Sequence, residues 1–161
     1  MIMRVGATGA ALLSLTLASL GPASASPPPL ALPEKELAVE TYTFATQTAK
    51  LPADVREALA RQLEQPQLHM ADAGMPFSES DAITDPSLPG RRLIQAALGP
   101  RFAFIHFEQG GVALIRRVVL FERIPKGMNV RWDGTVSHTY GDPKELESAI
   151  RTGSLWKAPK R

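Results

Sequence analysis

The sequence predicts an α+β fold: one small domain with an antiparallel β-sheet of four to six strands and two main α-helices packed on it, behind an N-terminal signal peptide. Three observations carry that expectation. Leu51, Val55, Leu59 and Leu63 repeat at the i, i+4 spacing of a single helix face. Residues 91–123 are rich in β-branched and aromatic side chains and are divided by Gly99-Pro100 and Gly110-Gly111. Asp142, Pro143 and Glu145 precede the apolar positions Leu146, Ala149 and Ile150, the pattern of a capped helix start.

The first 25 of the 161 residues differ in kind from the rest. Arg4 supplies a short positive start, residues 5–20 are apolar or small, Gly21-Pro22 breaks a helix, and Ala23-Ser24-Ala25 fits the small-x-small rule of signal peptidase. The pattern is that of a secretory signal peptide cut after Ala25. A spanning helix needs roughly 20 apolar residues. The 16 here include Gly6, Thr8, Gly9, Ser14 and Thr16, and no later stretch approaches spanning length. The expected location is therefore periplasmic or secreted, with no membrane span after cleavage. The Ala, Arg and Pro content suits a GC-rich bacterium. There are no cysteines, which excludes disulfides, thiolate metal sites and cysteine nucleophiles. No GxxxxGK[ST] or GxGxxG pattern follows a strand, so no nucleotide cofactor is expected.

Residues 26–33 carry Pro27, Pro28, Pro29 and Pro33 and read as an extended leader. Residues 34–48 are ambiguous, with a helical Glu34-Lys35-Glu36 start and a β-like Thr41-Tyr42-Thr43-Phe44. The domain proper spans 51–156. Its first helix covers 51–65, with Pro52 at the first helical position, Asp54 near the positive end of the dipole and Pro66 as the stop. Residues 68–70 suggest a short strand, and 71–89 an irregular loop. Residues 91–98 are short for a helix between Gly90 and Gly99, so a strand is expected. Residues 101–109 and 112–123 continue an antiparallel meander through a Gly110-Gly111 turn. Residues 128–132 and 135–140 read as a second hairpin around Asp133-Gly134. Helix 143–152 ends at Gly153, Leu155-Trp156 tucks onto the core, and 157–161 is a basic tail.

The formal charge of +2 conceals a division. Residues 26–90 hold 4 basic and 10 acidic side chains, whereas 91–161 hold 13 basic and 6 acidic. Either the two halves neutralise each other on folding, or the basic sheet half meets an anionic ligand or envelope partner. Arg91, Arg92, Arg116 and Arg117 are the candidate binding residues. Nucleic acid is not expected, because no Lys/Arg-rich run occurs.

Chemistry is sparse. A turn at Gly110-Gly111, or one residue earlier, makes cross-strand pairs sum to 221 or 219. That register puts His106 and Glu108 on one face with Arg117, and Arg116 on the other. A His with a carboxylate suits a general base or two metal ligands, although Arg117 neutralising Glu108 is the plainer outcome. Val136, His138 and Tyr140 alternate towards Asp142, another His/carboxylate neighbourhood or simply a helix cap. Glu79, Asp81 and Asp85 lack EF-hand spacing, no G-x-S-x-G surrounds a serine, and Trp132 and Trp156 read as core anchors before sugar platforms. The expected function is a non-enzymatic binding or interaction module. The alternatives are a metal-dependent or His/carboxylate hydrolase using His106, Glu108 and His138, and a structural envelope protein. No resident metal or cofactor is expected.

Overall fold

The computed structural model describes residues 32–82 and 85–156. The expected signal peptide, most of the proline-rich leader and the basic tail lie outside them. Five strands form one sheet in the order β1-β2-β3-β4-β5, every neighbouring pair antiparallel. They are β1 Thr43–Ala45, β2 Arg91–Leu98, β3 Phe102–Gln109, β4 Ile115–Ile124 and β5 Gly127–Val136. The α-helices are α1 Glu34–Val39, α2 Ala53–Gln62 and α3 Pro143–Thr152. This is the α+β class the sequence predicts, and residues 34–48 resolve into both a helix and an edge strand.

Each face of the sheet is covered. α2 lays Val55, Ala58 and Leu59, flanked by Leu51 and Leu63, on Leu93, Ala96, Ala103, Ile105, Phe107, Val119 and Phe121. The apolar stripe read from the sequence is this buried face. On the other side α1 contributes Leu37 and α3 contributes Leu146, Ala149 and Ile150, against Ala97, Phe102, Phe104, Val118 and Leu120. Leu155 joins that core, and Trp156 stacks on Phe104 at 6.3 Å and meets Trp132 edge-on at 6.4 Å. Asp142 caps α3 by accepting from the Lys144 N–H at 2.7 Å, and Gly153 closes it in the left-handed conformation at φ 71°.

Three local expectations need correction. First, Gly110-Gly111 is not the hairpin turn. Pairs across β3 and β4 sum to 224, as in Phe104↔Leu120 and Glu108↔Arg116, and β4 begins only at Ile115. The glycines are occupied elsewhere: the Gly110 N–H donates to the Gly90 carbonyl, and Gly111 bridges to Ser80. A Cβ on Gly110 would lie 2.0 Å from the Ser78 carbonyl oxygen, so only glycine permits this approach. Second, Asp133-Gly134 is not a turn. β5 runs unbroken through it, the chain reverses instead at Pro125-Lys126, and the Trp132 ring lies across Gly134 where a Cβ would stand. A β-bulge at Arg131 absorbs the extra residue, because Leu120 and Phe121 face Trp132 and Val130. Third, residues 68–70 form no strand; only Ala71 bridges to Arg92.

The acidic and basic halves meet in part. Asp54 of α2 pairs with Arg123, and Glu36 of α1 pairs with Arg101 at 2.5 Å. Glu40 accepts from the backbone N–H groups of Arg101 and Phe102 at 2.6 and 3.1 Å.

Candidate functional site

The start of β2, the end of β3 and the start of β4 meet at one end of the sheet. Antiparallel register brings Arg91 opposite Gln109, Arg92 opposite Glu108, and Glu108 opposite Arg116. Alternation then sends these side chains to opposite faces.

On the α2 face the groups close a chain of hydrogen bonds. Arg91 Nε and Arg117 Nη1 both donate to Gln109 Oε1, at 3.3 and 3.0 Å. Arg117 also holds Asp133 at 2.6 Å, and Gln62 of α2 donates to the same carboxylate at 2.7 Å. Among the described residues Arg91 pairs with no carboxylate. Burial, with Arg117 nearby, draws its pKa below the ordinary arginine value.

On the α1/α3 face Arg92 donates twice to Glu108 Oε2, at 3.0 and 2.6 Å, and lies over the Phe77 ring at 4.3 Å. Arg116 approaches Glu108 only to 3.8 Å, and its Nε is buried without a hydrogen bond. His106 is wholly buried, and neither ring nitrogen makes a well-formed hydrogen bond, although the Tyr140 backbone lies near enough to attract the ring proton. Burial pushes its pKa from 6.5 down to about 4; the Tyr140 backbone and Glu108 act the other way, while Arg116 and His138 add to the fall. Directly across the strand pair, wholly buried Gln95 donates to the carbonyls of Tyr140 and Asp142 at 2.5 and 3.1 Å, leaving its Oε1 without a partner. A buried polar atom left in that state costs about 1–3 kcal/mol.

The sequence-derived candidates are thus partly brought together. His106 and His138 each meet the Tyr140 ring edge-on, at 5.6 and 4.8 Å, and His138 pairs with Glu145 at 3.5 Å. His69 belongs elsewhere: its backbone is tied to Gln65 after α2, and Met70 beside it lies in the α2-face core. Asp72 accepts from the Thr48 N–H and hydroxyl at 2.6 and 2.8 Å. His106 and Glu108 make no hydrogen bond with each other. The register correction exchanges the arginines, placing Arg116 beside Glu108 and sending Arg117 to Asp133. Among the described residues no group of three or more His, Cys, Asp or Glu could hold a metal ion, and no helix is long and apolar enough to cross a membrane.

Sequence reasoning missed Gln95 and the contact of Tyr140 with both His106 and His138. Gln95 did carry a signal, as the lone uncharged polar residue inside the run Arg91–Leu98. Tyr140 carried none, because its place depends on how the chain leaves β5. A cavity of about 660 Å³ beside α2, lined by Thr48, Arg56, Arg61 and Leu68 among others, contains none of these candidates. The chain matches no protein-family model, no curated protein and no solved structure.

Proposed function

We propose that this chain is an exported, non-enzymatic binding module that takes an anionic ligand at the arginine-lined end of its sheet. One observation carries the reading. Arg91 and Arg117 on one face and Arg92 and Arg116 on the other line that end, and among the described residues their salt bridges are to Glu108 and Asp133. Two positive charges therefore remain, on groups that are partly withdrawn from water and so lightly screened. The signal-peptide pattern supports export.

The hydrolase alternative draws less support from the same geometry. Glu108 is committed to Arg92, and His106 is enclosed without a carboxylate partner. The structural-envelope alternative rests on the proline-rich leader, most of which lies outside the described residues.

The test is thermal unfolding in pyrophosphate against chloride at matched ionic strength. Pyrophosphate raises the midpoint of the unmodified protein, and Arg91→Gln combined with Arg116→Gln removes the rise. These two arginines are the least engaged with carboxylates, so their loss disturbs the native pairing least. Equal midpoints in the two salts would defeat the reading.

A further inference from the structure

The cavity beside α2 shares no lining residue with the arginine end of the sheet, and the way the helix stops gives it a second wall. Glu64 follows α2 in the left-handed conformation at φ 55°, where glycine is usual, and the Gln65 N–H reaches back to the Ala60 carbonyl at 2.9 Å. Beyond this turn, residues up to Leu68 line the same space of about 660 Å³ as α2 does. That volume falls within the roughly 300–1,000 Å³ of small-molecule sites. Successive helical residues turn by about 100°. Ala53 and Ala60 therefore share one line along α2, with Arg56 on one side of it and Arg61 on the other, and all four line the cavity.

Residues 26–90 hold only four basic side chains, Lys35, Lys50, Arg56 and Arg61, yet two of them line this one cavity. Among the described residues neither guanidinium makes a hydrogen bond or an ion pair. Thr48 and Gln65, by contrast, are spent on Asp72 and on the His69 backbone. The floor is apolar: Ala60 is buried, and half-buried Leu68 packs against the α2-face core. We propose that this cavity binds a small amphiphilic monoanion, with its acidic head between Arg56 and Arg61 and its apolar body over Ala53, Ala60 and Leu68. Two arginines against Glu57, the carboxylate of the lining, leave one net positive charge, which a single acidic head balances. Guanidinium donors match the paired oxygens of such a head, and no native ion pair has to break first. An uncharged ligand leaves both arginines unused, and an inorganic anion leaves the apolar floor uncovered. The inference does not rest on the reading of the sheet end.

The experiment is a titration of the full chain, labelled with ¹⁵N, with octanoate, acetate and 1-octanol, following the backbone amides of Ala53, Ala60 and Leu68. Acetate keeps the head without the body, and octanol keeps the body without the charge. Octanoate gives saturable shifts at all three amides and binds at least about tenfold more tightly than either, the worth of one charge-assisted hydrogen bond. Arg56→Gln combined with Arg61→Gln brings octanoate down to the level of octanol and leaves octanol unchanged. Both side chains are exposed, so the fold survives their replacement. Arg91→Gln combined with Arg116→Gln, at the sheet end, keeps the full octanoate response. No saturable shift at Ala60 and Leu68 overturns the site. Octanol or acetate binding as tightly as octanoate overturns the amphiphilic monoanion, and an undiminished response in the Arg56/Arg61 variant overturns the role of the two arginines. Loss of the response in the Arg91/Arg116 variant would move octanoate to the sheet end, and this site would fail.

Discussion

On the α2 face of the sheet, Gln62, Gln109, Arg117 and Asp133 are joined into one hydrogen-bonded chain; on the α1/α3 face, Gln95, His106 and Arg116 keep buried atoms without partners. The strands are the same, the arginines are adjacent in sequence, and the apolar middles of the two faces are alike. The difference arises at the covering elements. α2 reaches over the sheet with an amide that ties Gln62 to β5. The segment leading to α3 instead offers Tyr140 and Asp142 carbonyls, which take up the Gln95 donor and leave its acceptor bare. Polar residues that close a hydrogen-bonded chain on one face thus stay partly unpaired on the other.

The largest effects should show how much the two faces share. Phe121→Ala on the α2 face and Phe104→Ala on the α1/α3 face should each destabilise by about 3–5 kcal/mol in urea unfolding, since both rings are wholly buried. A cost below about 1 kcal/mol for Phe104→Ala would mean that α1 and α3 do not complete a core, and the comparison of faces would collapse.

Acid should distinguish the faces next. The His106 pKa is lower in the folded chain, about 4, than its ordinary 6.5. The unfolded chain therefore takes up the proton first. This contribution to stability is complete above about pH 6.5, falls as pH drops, and is fully lost near pH 4, a change of roughly 3 kcal/mol. Glu108 and the Tyr140 backbone favour the charged ring, while Arg116 and His138 oppose it. Comparing the protein with His106→Leu across this window subtracts the carboxylates common to both. Parallel stability curves would show that His106 titrates normally.

The sequence reveals the periodic parts of this architecture and misses the parts that depend on distant contacts. Leu51, Val55, Leu59 and Leu63 could be placed because their spacing alone puts them on one stripe. Asp142 could be named a cap because its partner is two residues away. The β3–β4 register could not be read, because Gly110 and Gly111 are recruited by residues 78–80, some thirty positions upstream. That single misplacement exchanged Arg116 and Arg117 between faces. Asp133-Gly134 has the composition of a turn, but Arg117 fixes Asp133 and Trp132 covers Gly134, so the strand continues. At the candidate site His106 and Glu108 share a side by simple alternation. Gln95, Tyr140 and Glu145 join them only through tertiary packing.

A smaller effect, of opposite sign on the two faces, sharpens the contrast. His106→Leu removes two buried unpartnered atoms at similar volume and should stabilise by about 1–2 kcal/mol at neutral pH. Arg117→Leu leaves Asp133 and Gln109 short of a donor and should destabilise by about 1–3 kcal/mol. Equal destabilisation in both would mean that His106 is satisfied as fully as Arg117.

The weakest effect concerns the charge division along the chain. Asp54 on α2 pairs with Arg123 on β4, which links the acidic half to the basic half, but 42% of the Arg123 side chain and 30% of the Asp54 side chain remain exposed. Water and salt screen such a pair, and holding two long side chains in place costs entropy. A double-mutant cycle of Asp54→Asn and Arg123→Gln should give a coupling below about 1 kcal/mol that shrinks further in high salt. The two halves then adhere through their shared apolar cores, with charge adding little. A coupling well above that range, unchanged by salt, would instead make neutralisation between the halves a principal source of stability. The positive charge left at the arginine end would then be a remainder of folding, not a surface kept for a ligand.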